Sequence, residues 1–259
     1  MQERHVNREQ YFMELGNTSR EYYIDYLLKH FDLNKGTKVL EIGCGDGGNL
    51  LPFAEVGCQI TGIDRSEARI FQAKATFQSL GFKSDFIAID FLDFGNCKRE
   101  ERYDIILIHD VIEHIAQKDK FIKHVKGFLA PGGIVFWRFP AWQMPFGGHQ
   151  QICKHKVCSK LPFIHLLPNP LYRRLLTSFG ESQPTIDELM DIKSCRTTIE
   201  KFEKLIKLNE YTIVDRCLWF INPHYKQKFN LNPRKLSKLI VPVRYIRNFF
   251  TTSCYYLTQ

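Results

Sequence analysis

Runs of apolar residues with the length of a strand alternate with amphipathic stretches along the first half of the chain. The apolar runs lie at 39–42, 61–64, 85–90, 103–110 and 134–138. Between them, residues 49–54, 66–80 and 118–129 carry apolar side chains at helical spacing, and Ser66 and Gly81 mark the ends of the second helix. Strands alternating with helices predict an α/β fold with a doubly wound, mostly parallel sheet.

The pattern changes after residue 139. Closely spaced Pro and Gly make 140–193 an ordered insertion with short helices rather than a layer of sheet. Residues 197–208 return to an amphipathic helix, 211–222 form a sixth strand, and 221–249 are irregular again. Both irregular stretches follow carboxyl ends of strands, where open α/β sheets bind ligands, so we expect them to cover one pocket. The length of the chain fits a single domain over 1–259.

A glycine turn follows the first apolar run. The sequence Val-Leu-Glu-Ile-Gly-Cys-Gly-Asp-Gly-Gly starts at residue 39 and predicts a buried strand that enters a turn with Gly43, Gly45 and Gly47. Gly43, Gly45 and Gly48 also fit the G-x-G-x-x-G pattern of dinucleotide-binding proteins. A carboxylate at Glu41 would repel a pyrophosphate and attract an ammonium or sulfonium group. The turn therefore favours S-adenosylmethionine over NAD.

These residues resemble motif I of the class I S-adenosylmethionine-dependent methyltransferases, E-x-G-x-G-x-G. Four further strand-end segments of that family follow in order over residues 37–140. The resemblance implies a Rossmann-like, doubly wound sheet of seven strands, six parallel and one antiparallel. Residues 251–257 are the candidate for the antiparallel strand, and residues 1–36 for a helical cap over the cofactor.

The resemblance also assigns a cofactor site, residue by residue. Asp64, after the second strand, is expected to accept hydrogen bonds from both ribose hydroxyls, and Asp90, after the third, to meet the adenine amino group. Arg65 is expected against the face of the adenine. The expected residues for binding S-adenosylmethionine are Glu41, Gly43, Cys44, Gly45, Gly47, Asp64, Arg65, Asp90, Phe91 and His109.

Two histidines are candidates for a catalytic base. An oxygen acceptor must lose a proton during methyl transfer, and histidine can take it near neutral pH. His149 ends the turn Met-Pro-Phe-Gly-Gly-His after the fifth strand, and His114 follows the fourth. Each has a structural alternative, since His149 could hold its loop by hydrogen bonds and His114 could orient the loop that carries it.

Two sets of residues have the chemistry of metal ligands, and we assign a metal to neither. Asp110, Glu113 and His114 stand at i, i+3 and i+4 and resemble the Glu-x-x-Glu-His segment of the O-methyltransferases of ubiquinone biosynthesis. The first position is Asp here, which departs from that segment. A second set lacks the paired spacing of zinc sites and consists of His149, Cys153, His155 and Cys158.

Composition places the chain among soluble globular proteins, with 44% hydrophobic and 25% charged residues. It does not open on an apolar segment like a signal peptide, and no apolar run reaches the length needed to span a bilayer, so we expect a cytoplasmic protein. The eight cysteines show no framework spacing and are expected to be free thiols.

The net charge of +8 is concentrated near the end of the sequence. From Arg216 onward there are eight Lys or Arg residues and no Asp or Glu. The segment 233–250 mixes these cations with large apolar residues, which fits either contact with an anionic membrane surface or a solvated basic face. A nucleic-acid partner is not expected, because no known binding module accompanies the charge. The sequence predicts no particular oligomeric state.

Together these features predict an S-adenosylmethionine-dependent methyltransferase. We expect transfer to a hydroxyl of a small-molecule, sugar or lipid-linked acceptor, with an amine as the less favoured acceptor group. Two alternatives stay open at this point. One is a protein that binds the cofactor without turnover. The other is a nucleic-acid methyltransferase that binds its substrate through the basic tail, the residues from Arg216 onward.

Overall fold

The computed structural model describes residues 7–97 and 101–259, so the part of the cap assigned to residues 1–6 lies outside the described residues. One eight-stranded sheet has the order β3-β2-β1-β4-β5-β8-β6-β7. The strands are β1 (Lys38–Ile42), β2 (Gln59–Asp64), β3 (Ser84–Ala88), β4 (Tyr103–His109), β5 (Leu129–Phe139), β6 (Ile213–Ile221), β7 (Arg234–Lys235) and β8 (Ser253–Thr258).

The predicted doubly wound sheet is confirmed. Strands β1 to β5 pair in parallel, and β8 is antiparallel to both β5 and β6. Six strands therefore point one way and β8 the other. The eighth strand, β7, was not predicted; its two residues pair antiparallel with the edge of β6. An Arg-Lys pair after a proline has no strand signal of its own, so this pairing depends on the open edge beside it.

Helices cover both faces of the sheet. They are α1 (Arg8–Thr18), α2 (Asp25–Leu27), α3 (Leu51–Val56), α4 (Glu67–Ser79), α5 (Phe91–Cys97), α6 (Lys118–Lys126), α7 (Asn169–Ser178), α8 (Gln183–Cys195), α9 (Ile199–Leu208) and α10 (His224–Phe229). A π-helical segment, Ser19–Ile24, joins α1 to α2. No helix in the described ranges is both long enough and apolar enough to cross a membrane.

Local signals set the helix ends. The Ser66 hydroxyl caps α4, accepting from the N–H of Arg69, and Gly81 has a φ of 77° just beyond its end. The prediction of a helix to residue 129 is wrong in its last turn, because α6 ends at Lys126. Tyr103 N donates to Phe128 O at 2.8 Å, so the chain has already joined the sheet there.

The central strands β1, β4, β5 and β8 are mostly buried on both faces, which explains their nearly continuous apolar runs. Leu40, Ile106 and Trp137 belong to the core under α6 and α9, whereas alternate residues such as Val39 and Phe136 belong to the core under α1, α3 and α4. Loops follow the parallel strands at their carboxyl edge. The 140–193 stretch, with α7 and α8, leaves from β5, and the 221–249 stretch, with α10 and β7, leaves from β6.

Candidate active site

The loop after β1 has the conformation that its glycines predict. Gly43, Gly45 and Gly47 have φ values of 75°, 55° and 82°. Gly43 N donates to Ile63 O at 2.7 Å, which ties the loop to β2. A Cβ atom at Gly43 would lie only 2.4 Å from Val111 Cγ2, so no larger residue fits without movement. The loop therefore needs glycine for both its φ and its packing.

Asp64 holds this loop in place. One carboxylate oxygen, Oδ2, accepts from Gly45 N at 2.9 Å, and the other, Oδ1, accepts from Ser66 N at 2.8 Å. Asp90 lies at the neighbouring strand end, where its Oδ1 accepts from Leu92 N at 2.9 Å. Its Oδ2 lies 3.4 Å from Nε of the exposed Arg65. The structure thus brings the predicted carboxylates together along the carboxyl edge, beside the glycine loop.

Glu41 and His109 lie beneath the loop instead of at its mouth, which corrects the placement assumed from the sequence. Glu41 is fully buried, and its Oε1 accepts from Asn49 Nδ2 at 2.7 Å and lies 3.2 Å from His109 Nδ1. Its Oε2 has no hydrogen-bond partner within residues 7–97 and 101–259. Asn49 and His109 therefore hold the carboxylate inside the protein.

Two more of the predicted cofactor residues point into the protein. The Cys44 side chain is buried, and burial raises the pKa of its thiol well above the usual value. The Phe91 ring is also buried, in contact with Phe121 and His124. The side chain of Phe91 therefore belongs to the core, and any contact that Phe91 makes with a cofactor has to come from its backbone.

The two candidate bases meet although 35 positions separate them in the sequence. The rings of His114 and His149 lie 4.9 Å apart, nearly perpendicular. His149 has a φ of 58°, and its N–H donates to Phe146 O at 3.1 Å, so a strained turn sets its position. Desolvation lowers the pKa of both rings, and His149 lowers the pKa of His114 further. Both imidazoles are therefore neutral near pH 7.

An ion pair lies beside these rings. Asp110, with a φ of 52°, forms an ion pair with the buried Arg138 at the end of β5. Burial opposes ionisation of Asp110, but Arg138 and His149 hold the pKa of its carboxyl below the usual value. Glu113 is different: burial raises its pKa well above the usual range, and neither carboxylate oxygen has a partner in the part of the chain that the structure describes.

Asp110, Glu113 and His114, which have the chemistry of metal ligands, are not brought together as one group. Residues Ile112–His114 form a 3-10 turn rather than part of an α-helix, and Asp110 pairs with Arg138. His149 takes the place of Asp110 in the group, since ligand atoms of Glu113, His114 and His149 lie within 4.8 Å of one another.

Two connected cavities lie under the insertions. The inner cavity, of about 500 Å³, is lined by Tyr11, Asp110, Arg138, His149 and Tyr225, among others. The outer cavity, of about 680 Å³, shares Met144, Phe146 and Tyr225 with it. Residues of both stretches that follow strand ends line these cavities.

The outer cavity has a strongly basic lining. Lys154, Lys156, Lys160 and Lys228 line it, and no Asp or Glu of the described residues does. Sequence reasoning missed the first three because they belong to the 140–193 insertion, not to the basic tail. It also missed Arg138, although a lone cation within the run Ile-Val-Phe-Trp-Arg-Phe was a signal of buried function.

Several cations of the basic tail, the segment from Arg216 to residue 259, form ion pairs with acidic residues outside that segment. Arg216 pairs with Glu203 at 2.7 Å, Arg247 with Glu200 at 3.0 Å, and Lys226 with Glu21 at 2.7 Å. These acids come from earlier segments of the chain. Lys228 lines both cavities, and the other four cations of the tail are exposed; they are Arg234, Lys235, Lys238 and Arg244.

The sequence is similar to known methyltransferases over part of its length. The profile of the family described as "Methyltransferase domain" matches residues 33–171, just over half of the chain. The ubiquinone biosynthesis O-methyltransferase of Rhizobium leguminosarum bv. trifolii is 33% identical over 39% of this chain and 40% of its own length. That of Bartonella bacilliformis is 30% identical over 60% of this chain and 62% of its own length. The chain thus spans about two-fifths to three-fifths of these relatives.

The fold extends the similarity to nearly the whole chain. Magnesium protoporphyrin IX methyltransferase from Synechocystis PCC 6803, crystallised with bound SAH, superposes with a TM-score of 0.55 at 14% identity. The superposition covers 95% of this chain and 84% of that one. The family profile, the strand order and the glycine loop agree, and the chain belongs to the class I S-adenosylmethionine-dependent methyltransferases.

Proposed function

We propose that the protein transfers a methyl group from S-adenosylmethionine to a hydroxyl of a small-molecule acceptor. The observation that carries this proposal is the pairing of His114 and His149, with ring centroids 4.9 Å apart, at the carboxyl edge of the sheet. His149 lines the inner cavity, where an acceptor can enter. Two neutral imidazoles at such a place suit an acceptor that must lose a proton.

The glycine loop and the strand-end carboxylates fit the cofactor. A backbone with positive φ and no Cβ atoms offers close approach, and the Asp64 and Asp90 carboxylates at the neighbouring strand ends can accept hydrogen bonds from hydroxyl and amino donors. Glu41 adds a buried negative charge under the loop, which favours a cationic ligand over a pyrophosphate. When bound, S-adenosylmethionine supplies an electrophilic methyl carbon on a positively charged sulfur.

The residues of the chain then manage the acceptor and its proton. His149 would take the proton of the acceptor hydroxyl and so keep the acceptor oxygen nucleophilic toward the methyl group that S-adenosylmethionine would supply. The imidazolium that forms is stabilised by the Asp110 carboxylate, which raises the pKa of His149 against the effect of burial. His114 packs edge-on against the His149 ring and restricts its orientation.

The lining of the outer cavity favours an acceptor with an anionic group. Lys154, Lys156 and Lys160 place positive charge there, while Phe146 and Phe229 add apolar surface. An acceptor that combines an apolar part with a phosphate or carboxylate would match both features. Its hydroxyl would reach the inner cavity and its anionic group would remain among the lysines.

The exposed end of the chain supports a second partner, an anionic membrane surface from which a lipid-linked acceptor could be taken. Leu239, Tyr245 and Ile246 are 84%, 62% and 53% exposed, and they alternate with exposed cations. Such a mixture suits the boundary between lipid headgroups and acyl chains. Cosedimentation with anionic vesicles at low and high salt tests this contact, and no binding at low salt would leave only a solvated surface.

The decisive experiment for the reaction is turnover with hydroxylated, anionic acceptors, followed by S-adenosylhomocysteine release. His149→Ala should lower kcat by roughly 10²–10⁴ while cofactor affinity is unchanged. His30→Ala is the matched control, since His30 contacts Asp215 on the surface, far from the cavities. Equal rates for wild type and His149→Ala would contradict the role of His149, and no turnover with any acceptor would favour a binding protein without catalysis.

A further inference from the structure

A second cluster of metal-ligand side chains lies within the 140–193 insertion, at the wall of the outer cavity, which Cys153 lines. Ligand atoms of Cys153, Cys158 and Glu181 lie within 4.8 Å of one another, and all three side chains are buried. The surrounding core includes Tyr172 and Leu189. Proposed methyl transfer uses none of these three residues.

The two sulfurs have the separation found in a metal site. Cys153 Sγ and Cys158 Sγ are 3.6 Å apart. Tetrahedral zinc with Zn–S bonds of about 2.3 Å holds two sulfurs about 3.8 Å apart. Four residues separate the two cysteines in the sequence, which is within the spacing common for paired zinc ligands. The sulfurs therefore need to move little to bind one ion.

Glu181 is fixed beside the thiols without a cationic partner. Its Oε2 accepts from Lys154 N at 3.0 Å and its Oε1 from His155 N at 2.9 Å. No Lys, Arg or His side chain in residues 7–97 or 101–259 forms an ion pair with it. A buried carboxylate normally requires a compensating positive charge, and each oxygen retains a lone pair for one.

The histidines that the sequence grouped with these cysteines have other roles. His149 pairs with His114. His155 Nδ1 accepts from Val157 N at 3.3 Å, and its ring packs on Phe179. The third ligand comes instead from the turn between α7 and α8, which the sequence pattern alone did not indicate.

We propose that Cys153, Cys158 and Glu181 bind a zinc ion, with a water molecule in the fourth position. Binding displaces the two thiol protons and gives the carboxylate a metal ion to coordinate; with two thiolates, one carboxylate and a water, the zinc group carries a net charge of about −1. The ion closes the segment 153–160, which carries the lysines of the outer cavity, against the turn before α8. Zinc is favoured over calcium or magnesium because two of the three ligands are sulfur.

Metal analysis of the purified full chain tests the site. Protein expressed with zinc and then desalted should carry about one zinc ion per chain. Cys153→Ser and Cys158→Ser should each lose the zinc, whereas Cys58→Ser, a buried cysteine in a different core cluster, should keep it. His149→Ala should also keep it, which separates this site from the Glu113, His114 and His149 group.

A second measurement covers the case in which a serine variant does not fold. Increasing amounts of a mercurial modify the thiols of the wild-type protein step by step. Zinc should be released to a colorimetric chelator as the thiols of Cys153 and Cys158 react. Wild-type protein that holds no zinc after dialysis against it would overturn the proposal. Zinc retained by both serine variants, or zinc lost in His149→Ala, would overturn it as well. It would also be overturned if the metal-free wild-type protein had a mass two hydrogens below that of the reduced chain, because this would indicate a disulfide between Cys153 and Cys158.

Discussion

Replacing Asp64 by alanine should weaken both the fold and cofactor binding. The carboxylate accepts hydrogen bonds from Gly45 N and Ser66 N, at 2.9 and 2.8 Å. A hydrogen bond to a charged group contributes about 1.5–3 kcal/mol, and water can partly replace this half-buried acceptor, so the lower figure applies. Two such bonds give a loss of about 3 kcal/mol in the free energy of unfolding. The sequence alone predicted that Asp64 accepts hydrogen bonds from the ribose hydroxyls of the cofactor.

Asp104→Ala is a matched control. Asp104 also accepts a backbone hydrogen bond, from Lys38 N at 2.8 Å, but it lies at the opposite end of the sheet from the glycine loop. Its loss should cost about half as much, roughly 1.5 kcal/mol, and leave cofactor affinity unchanged.

Urea unfolding without ligand measures both stabilities, and calorimetric titration measures the affinity for S-adenosylmethionine. The reasoning would be refuted if Asp64→Ala were no less stable than Asp104→Ala. If stability fell as expected but the affinity stayed at the wild-type value, Asp64 would be a structural residue of the loop and would not bind the ribose.

Three further predictions follow from the site. Gly43→Ala should lower the free energy of unfolding by about 2–5 kcal/mol, because the position has a positive φ and the new Cβ would contact Val111. In urea unfolding, adding Val111→Ala should restore the share of this loss that comes from the contact. The lowered pKa values of the two histidines keep both rings neutral below the usual pKa of 6.5, so kcat should be constant from neutral pH upward and fall only as the pH drops through those lowered values; a fall beginning above pH 7 would contradict this. Replacing Lys154, Lys156 and Lys160 together by alanine should raise KM for an anionic acceptor and leave the affinity for the cofactor unchanged, and an unchanged KM would remove them from the acceptor site.

The sheet and the glycine loop could be predicted because their signals are local. Alternating apolar runs fix the strands, and the positive φ values of Gly43, Gly45 and Gly47 follow from their residue type. The buried position of Glu41 beneath the glycine loop could not be predicted from the sequence. That depends on its hydrogen bond with Asn49 and its contact with His109, which only the packed loop brings together.

The acceptor side of the site was predicted less completely, because its contacts join distant segments. His114 and His149 were separate candidates, and a strained turn at His149 makes them neighbours. Arg247 looked like an uncompensated cation in a basic tail, but its partners Glu200 and Glu203 come from α9. Charge runs in a sequence do not reveal such long-range partners.

The central claim is that the glycine loop and its carboxylates form a site for S-adenosylmethionine. Isothermal titration calorimetry of the full chain tests it without knowledge of the acceptor. We predict one saturable site for S-adenosylmethionine and for S-adenosylhomocysteine and no heat with NAD, because the buried charge of Glu41 opposes a pyrophosphate. Saturable binding of NAD together with no response to either sulfur ligand would contradict the account.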